Sequence, residues 1–361
     1  MNPKTIIIIT GEHPYKCTGG SEMQAYLIAK GLSAYYRKTI FCTVFSKETC
    51  IEFETDNFVH LSLKNGFLPW KILRFLIFMR ELKPDVFYVR CLYSFWWLKL
   101  VSKWYKKPII YHLSSDGQTF YKKLDHNSLL SSLFHNFYVW TIQFSSKIIA
   151  QTKVQAELYK KTFNILPNIV YNAQPIVTNG VQKNYSKIYI IWIGKGFKNP
   201  EKFTALAINM RNSELFEFII AGIFTARQIS SFEDIQKYTT NFRYLGEISR
   251  TEVFRQLDNA HVLINTSLME GFPNTFIEAW LRGVIVISDK INPDNILTEK
   301  GIGFVCNGIN EIESKLYELF SGDLTLAKDY SAKAKEYAFK NHNINEASGK
   351  IFQIIQGLYQ S

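Results

Sequence analysis

The segment that decides the fold covers residues 261–283 and reads HVLINTSLMEGFPNTFIEAWLRG. Its first residues, His261–Ile264, are mainly apolar and predict a buried strand. A polar stretch then leads to Glu270, and a tight Gly-Phe-Pro sequence separates this glutamate from Asn274, a residue type that often caps helices. The order of these features predicts a strand, a loop and a helix capped by Asn274.

The predicted helix has an apolar face and a polar face. Its large apolar side chains recur at helical spacing and are expected to pack on a sheet, which turns Glu278 outward, towards a cleft. The free N–H groups at the helix start carry a partial positive charge that suits a phosphate. An alternative is an ordinary i, i+4 ion pair of Glu278 with Arg282, worth about 0.2 to 0.5 kcal/mol, with Glu270 a solvated loop residue. The apolar face consists of Phe276, Ile277, Trp280 and Leu281.

A second loop with cations follows an earlier apolar run. Residues 191–201 read IWIGKGFKNPE, which predicts a strand, a glycine-rich loop and a helix opened by Pro200. Lys195 and Lys198 lie in this loop, at the carboxyl end of the strand, where cations bind anions well. Taken alone, such a loop is often only a surface turn.

Three weaker signals lie in the first half of the chain. Gly19 and Gly20 are adjacent between the first strand and the first helix, where they permit positive φ and a close approach of the backbone to a ligand. His112 ends the apolar run that starts at Ile109, and a single histidine there is more often structural than catalytic. By the same count, Arg90 and Asp116 also end on the cleft side of their strands.

Glu270 and Glu278, with seven residues between them and Gly-Phe-Pro-Asn after the first, resemble the signature of family 4 retaining glycosyltransferases of GT-B fold. In that family the second glutamate holds the ribose and the first contacts the donor sugar. The resemblance also implies that backbone N–H groups of the following loop bind sugar and phosphate. That loop comprises Gly271, Phe272, Pro273, Asn274 and Thr275.

The resemblance gives the weaker signals a role as well. Lys195 stands where the family carries an arginine, so bidentate phosphate recognition is lost while the charge remains. Lys198 matches the family lysine that grips the diphosphate better than Lys202 does. The Gly19-Gly20 loop would lie near the donor phosphates, and His112 would line the reaction centre. The implied catalytic residues are Glu270, His112, Lys195 and Lys198.

Strand and helix patterns alternate along all 361 residues, which predicts an α/β fold with two Rossmann-like, doubly wound domains. By resemblance these are the GT-B domains facing a central cleft. We expect an acceptor-binding domain over residues 1–172, a nucleotide-sugar-binding domain over 173–342, and a C-terminal helix over 343–361 that crosses back to the first domain. Its residues Ile351, Ile354, Ile355 and Leu358 should pack there.

Composition and charge indicate where the protein acts. Five scattered cysteines and an apolar start that suits a first strand better than a signal peptide favour a cytoplasmic protein. Residues 1–180 hold 22 Lys and Arg against 11 Asp and Glu, whereas residues 181–361 hold 20 of each. Such a basic half fits nucleic acid, an anionic membrane or an anionic substrate. Tryptophans among the lysines of residues 67–83 and 95–107 favour the membrane interface, although two ordinary amphipathic helices would have the same pattern.

The function expected from these features is that of a retaining, metal-independent glycosyltransferase. It would move a sugar from a UDP-sugar, or a GDP-sugar, to a lipid-linked or polysaccharide acceptor at the inner face of the cell membrane, in bacterial surface-polysaccharide synthesis. No Asp-x-Asp sequence and no metal-ligand cluster occurs, so we expect no cofactor, and we expect no nucleic-acid partner. The alternatives are a catalytically silent binding subunit for a sugar nucleotide or polysaccharide, and a GT-B sugar-nucleotide epimerase.

Overall fold

The structure is a computed structural model that describes residues 4–14, 19–90, 96–119, 139–140, 142–143, 145–176 and 182–360. The chain forms two compact units. The first takes the described residues up to Pro175 together with those from Asn343 onwards, and the second runs from Ile176 to His342. The first division, after Pro175, lies three residues beyond the expected boundary at 172/173. The second, after His342, coincides with the expected boundary at 342/343.

The first unit contains an eight-stranded sheet in the order β3-β4-β2-β1-β5-β6-β7-β8. Its strands are parallel except for β3, which pairs antiparallel with β4 at the sheet edge. The apolar runs of the sequence predict strands over Thr5–Thr10, Thr39–Val44, Phe58–Leu63, Val86–Val89, Ile109–His112 and Lys147–Gln151. These correspond to every strand of this sheet but β3 and the two-residue β8. The strands are β1 (Thr5–Thr10), β2 (Lys38–Ser46), β3 (Cys50–Thr55), β4 (Phe58–Lys64), β5 (Val86–Arg90), β6 (Ile109–His112), β7 (Lys147–Ala150) and β8 (Asn168–Ile169).

The second unit contains a six-stranded parallel sheet in the order β11-β10-β9-β12-β13-β14. Successive strand residues such as Ile190 and Ile191 are both buried, so both faces of this sheet are apolar, as expected for a sheet covered on both sides. The strands are β9 (Ile188–Lys195), β10 (Phe216–Ile223), β11 (Phe242–Tyr244), β12 (Val262–Asn265), β13 (Ile285–Ser288) and β14 (Gly303–Val305).

Helices connect most of these strands. In the first unit they are α1 (Gly20–Leu32), α2 (Leu68–Leu82), α3 (Trp96–Tyr105) and α4 (Lys153–Phe163). In the second they are α5 (Pro200–Asn209), α6 (Ala226–Tyr238), α7 (Arg250–Asn259), α8 (Asn274–Trp280), α9 (Ile296–Glu299), α10 (Ile309–Phe320) and α11 (Thr325–Asn341); α12 (Ile344–Gln360) then returns to the first unit.

The two faces of the first sheet carry different helices. Ile7 and Ile9 of β1 belong to one buried cluster, with residues of α2, α3 and α4. Their neighbours Ile6 and Ile8 belong to another, with residues of α1 and α12. The alternation follows from the two-residue period of a strand. As predicted, α12 packs on the first unit through Ile351, Ile354, Ile355 and Leu358.

Candidate active site

The order of strands in the second unit reverses direction next to β9. From β9 the chain moves outward to β10 and β11, and it then returns to place β12 on the other side of β9. In open α/β sheets, ligands bind outside the carboxyl ends of the strands at such a switch point. Lys195 is the last residue of β9, and the loops that follow β9 and β12 hold Lys198 and Glu270, so the topology brings together the segments that the sequence predicted to be functional.

These two loops are joined by hydrogen bonds. Thr266, directly after β12, has its hydroxyl oxygen 3.0 Å from the carbonyl oxygen of Lys198 and 2.7 Å from that of Asn199. The same hydroxyl accepts a hydrogen bond of 2.8 Å from the indole N–H of Trp192. Asn199 has a left-handed backbone, with φ of 58°, which turns the chain into α5 at Pro200. The loop after β9 is therefore held in place by a residue of the loop after β12.

Lys198 and Glu270 form an ion pair across this junction. The Lys198 ammonium lies 2.5 Å from Glu270 Oε1, which also accepts a hydrogen bond of 2.9 Å from the Ser267 hydroxyl. Both side chains are only partly exposed, at 26% for Lys198 and 15% for Glu270. Lys195, at the end of β9, is half-buried. Lys202 instead pairs with the buried carboxylate of Asp289 at 2.5 Å. Of the two lysines that the sequence offered, Lys198 is the one beside Glu270.

The helix after Glu270 begins one residue earlier than predicted. Pro273 occupies the N-cap position, with φ of −65° and ψ of 124°, and α8 starts with Asn274 itself. The predicted cap at Asn274 is therefore wrong, because a residue already inside the helix cannot use its side chain as the N-cap. The apolar face was predicted correctly, since Phe276, Ile277, Trp280 and Leu281 are all buried.

The orientation predicted for Glu278 is also wrong. The residue is 5% exposed rather than turned outward, because α7 lies against α8 and supplies a partner for its carboxylate. Arg250, the first residue of α7, donates a hydrogen bond of 2.8 Å to Glu278 Oε1. Burial raises the pKa of Glu278, and the charges of Arg250 and Arg282 oppose that rise. The second glutamate of the motif is thus held by a buried charge pair.

Arg282, the alternative partner in the sequence, binds elsewhere. Its Nε lies 3.1 Å from Asp258 Oδ1, and one of its terminal nitrogens donates to the backbone carbonyl of Glu278 at 3.1 Å. The Phe254 ring contacts both guanidinium groups, with Arg250 at 4.8 Å and Arg282 at 4.1 Å from its centroid. Positions 250, 254 and 258 share one face of α7, so this helix carries the charges that surround the motif. Sequence reasoning missed Arg250, because a contact 28 residues away leaves no local pattern.

The backbone of Gly19 does not use the positive φ that the sequence suggested. Its backbone is extended, with φ of −87° and ψ of 123°, so the positive φ that glycine permits is not used. A Cβ at this position would lie 1.9 Å from a carboxylate oxygen of Glu22. That oxygen is the far end of a flexible side chain, which can turn aside, so the contact alone does not require a glycine here. Gly20 is the first residue of that helix, and residues 15–18 of the loop lie outside the described residues.

His112 and Arg90 lie inside the first unit and have no exposed surface. The His112 Nδ1 atom accepts hydrogen bonds from the Tyr88 hydroxyl at 2.5 Å and from Arg90 at 3.1 Å. Arg90 also donates to Asn172 Oδ1 at 2.6 Å. Burial and the charge of Arg90 lower the pKa of His112 well below its usual value, so the ring is neutral. Both side chains are therefore enclosed at the ends of their strands, as a structural histidine at position 112 would be. Asp116 is half-buried and accepts a hydrogen bond from Gln155 at 3.2 Å.

Metal binding and membrane crossing each require a recognisable arrangement of side chains. Within the described ranges, no group of three or more His, Cys, Asp and Glu side chains is placed to hold a metal ion. No helix in that part of the chain combines the length and the apolar character that crossing a membrane requires.

Two family models match the chain. Residues 18–173 match Glycosyltransferase Family 4, and residues 187–321 match Glycosyl transferases group 1. A curated relative, one of the subunits of phosphatidylinositol N-acetylglucosaminyltransferase from Homo sapiens, is 28% identical over 118 residues, 30% of this chain. The chain thus spans only 24% of the length of that relative.

Solved structures share the fold at low sequence identity. Sucrose-phosphate synthase from Thermosynechococcus elongatus has a TM-score of 0.76 at 12% identity, with 99% of each chain covered. Alr3699/HepE from Anabaena, solved in complex with UDP-glucose, has a TM-score of 0.74 at 14% identity, with 98% of this chain and 99% of that chain covered. The two sheets, their switch point and these matches define a glycosyltransferase with the GT-B fold. The first part of the chain is a Glycosyltransferase Family 4 domain and the second a glycosyl transferases group 1 domain.

Proposed function

We propose that the protein transfers a sugar, with retention and without a metal, from a UDP-sugar to a lipid-linked or polysaccharide acceptor. The observation that carries the donor assignment is the Lys198–Glu270 ion pair at the switch point of the second sheet. It places a cation for a diphosphate directly beside a carboxylate that can accept hydrogen bonds from sugar hydroxyls. A sugar nucleotide contains both of these groups, joined by the bond that is broken. A GDP-sugar remains the alternative donor.

Donor binding would exchange the partners of this ion pair. The diphosphate would take the place of Glu270 beside the Lys198 ammonium, and Lys195 would add a second positive charge. Glu270 would then be free to accept hydrogen bonds from the transferred sugar, while Ser267 keeps its carboxylate in position. Preorganised cations of this kind stabilise the charge that develops on a leaving diphosphate. They are the groups through which this chain would support departure of the leaving group.

Glu278 would hold the ribose. Its carboxylate is oriented by Arg250, and each carboxylate oxygen has lone pairs for more than one hydrogen bond, so it can accept from a diol as well. For retention we propose transfer on one face of the sugar. The acceptor oxygen would form its bond to the anomeric carbon on the side from which the diphosphate leaves, and the acceptor proton would pass to the departing phosphate. His112 has no exposed atom, so we propose that it supports the surrounding loops through Tyr88 and Arg90.

Two observations support a lipid-linked acceptor at the inner face of the membrane. The curated relative is, by its name, a transferase that acts on phosphatidylinositol. The excess positive charge lies wholly in residues 1–180, where a membrane with anionic lipids would attract it. A role in bacterial surface-polysaccharide synthesis is part of the same proposal.

The donor assignment is tested by titrating UDP-glucose, GDP-mannose and ADP-glucose into the purified protein while its unfolding is followed. A ligand at about 100 times its Kd stabilises the folded state by about 2.7 kcal/mol, so the correct nucleotide stands out. Lys198→Met should weaken binding of the diphosphate nucleotide, whereas Lys187→Met, on the same unit but paired with Glu217, should not. Equal affinity of both variants and the wild type would contradict the proposed site.

A further inference from the structure

The outer surface of α2 carries a stripe of exposed apolar side chains. Trp70, Leu73 and Ile77 follow one another at helical spacing and are 47 to 62% exposed. Phe75 and Met79 occupy the opposite side of the helix and are buried against the sheet. Burial of one apolar face accounts for the packing of α2, so the second apolar face is not needed for the fold of this unit.

A neighbouring helix extends this stripe. Trp97 of α3 packs against Phe75 of α2, with ring centroids 5.1 Å apart, so the two helices lie side by side on the same sheet face. On the outside of α3, Leu100 is 54% exposed and Trp104 is 84% exposed. We define the α2–α3 face as the exposed apolar and cationic side chains of these two helices: Trp70, Leu73, Arg74, Ile77, Arg80, Leu100, Lys103 and Trp104.

The apolar stripe is bordered by positive charge. Arg74 and Arg80 are exposed on either side of it on α2, and Lys103 is exposed between the two apolar residues of α3. Across residues 64–83 and 96–107 there are nine Lys and Arg and one acidic residue, Glu81. Aromatic and aliphatic side chains flanked by cations are the pattern of helices that lie in the plane of a membrane interface.

We propose that the α2–α3 face binds the surface of an anionic lipid bilayer, with Trp70, Ile77 and Trp104 entering the boundary between headgroups and acyl chains. A second copy of this chain fits less well, because it would bring two strongly basic faces together. A protein partner would need acidic residues placed to match Arg74, Arg80 and Lys103 one by one, whereas an anionic bilayer supplies negative charge along the whole border of the stripe. The inference rests on the proposed function for its purpose, namely access to a lipid-linked acceptor, and its evidence comes from the first unit alone.

Two triple variants separate the apolar and the electrostatic contributions. The apolar variant is Trp70→Ser, Ile77→Ser, Trp104→Ser, and the cationic variant is Arg74→Gln, Arg80→Gln, Lys103→Gln. The matched controls are Phe53→Ser, whose side chain is 70% exposed but stands between Glu52 and Glu54, and Lys153→Gln, Lys160→Gln, Lys161→Gln, which removes three exposed lysines of α4. Circular dichroism and UDP-glucose binding verify that each variant is folded.

Binding is measured by sedimentation with vesicles of equimolar phosphatidylglycerol and phosphatidylcholine, and with phosphatidylcholine alone. The wild type should bind the anionic vesicles at low salt, with the tryptophan emission shifted to the blue, and the partition coefficient should fall as salt is added. Removing three interfacial cations should lower that coefficient about 100-fold. The apolar variant should lose the emission shift and at least about tenfold in binding. Both controls should bind like the wild type.

Several results would overturn the inference. One is that the wild type fails to bind anionic vesicles, and another is that both triple variants bind as well as the wild type. A third contradicting result is that the α4 lysine control loses as much binding as the cationic variant. Gel filtration tests a further possibility. If the wild type were a dimer and the apolar substitutions dissociated it, the α2–α3 face would bind a second copy of the chain instead of a membrane. A protein that binds the vesicles but no sugar nucleotide would refute the proposed function and leave the membrane face standing.

Discussion

Replacing each glutamate of the motif by glutamine should produce two different defects. Glu278 is 5% exposed and pairs with Arg250, whose side chain is 29% exposed. Breaking a fully buried pair costs about 3 to 5 kcal/mol, but Arg250 can turn towards water and the new amide can still accept its hydrogen bond. We therefore expect Glu278→Gln to lower the free energy of unfolding by about 1 to 2 kcal/mol.

The kinetic consequences should differ as well. Because the ribose changes little during transfer, Glu278→Gln should weaken binding of both the sugar nucleotide and free UDP, and its cost should appear in KM. In the proposed site Glu270 would contact the transferred sugar, whose shape and charge change on the way to the transition state. Glu270→Gln should therefore lower kcat by about 100-fold and leave UDP affinity nearly unchanged. Steady-state kinetics and calorimetric titration with UDP measure the two effects, and urea unfolding measures stability.

A matched control is Glu252→Gln, which removes a carboxylate that pairs with Arg255 on the outside of α7. It should change neither the kinetics nor UDP binding. If both motif variants kept wild-type kcat, KM and UDP affinity, the assignment of the donor site to this motif would be refuted. If Glu278→Gln changed stability alone, the residue would be a structural partner of Arg250 with no contact to the ribose.

Three further predictions concern the reaction conditions and the second unit. Transfer should persist in excess EDTA, because Lys195 and Lys198 can neutralise the leaving diphosphate; activity that is lost and then restored by Mg²⁺ would contradict this. Gly222→Ala should destabilise the protein by about 3 kcal/mol or more in urea unfolding, since its φ is 146° and a Cβ would lie 1.8 Å from the Gly194 carbonyl oxygen. Burial lowers the pKa of His261 to about 4, below its unfolded value of 6.5, so stability should fall as the pH drops through this interval. His261→Asn should reduce that slope, and an unchanged slope would contradict the assignment.

The sequence predicted those features that are periodic or local. Apolar runs located most strands, and the spacing of Ile351, Ile355 and Leu358 predicted which face of α12 is buried. Strand β3 was missed because it lies at a sheet edge, where Glu52 and Glu54 alternate with exposed apolar residues and no buried run appears.

The errors at the candidate site share one physical cause. A helical pattern shows which side chains share a face, but it does not show which other helix will cover that face. Glu278 was expected to point outward because the polar side of α8 was treated as solvent-facing, whereas Arg250 and Phe254 of α7 occupy that side. The enclosure of His112 and Arg90 is equally non-local, since Tyr88 and Asn172 come from other positions in the sequence to bind them.

The return of α12 to the first unit has a consequence for the order in which the protein folds. On a ribosome, the strands and helices up to Pro175 emerge first, but the apolar side of α1 that packs against α12 stays open until residues 344–360 have been made. The second unit is continuous in sequence and can complete its own core in the interval. The first unit is therefore completed after the second, although its synthesis begins earlier. Nascent chains that stop near His342 expose the surface that α12 would cover.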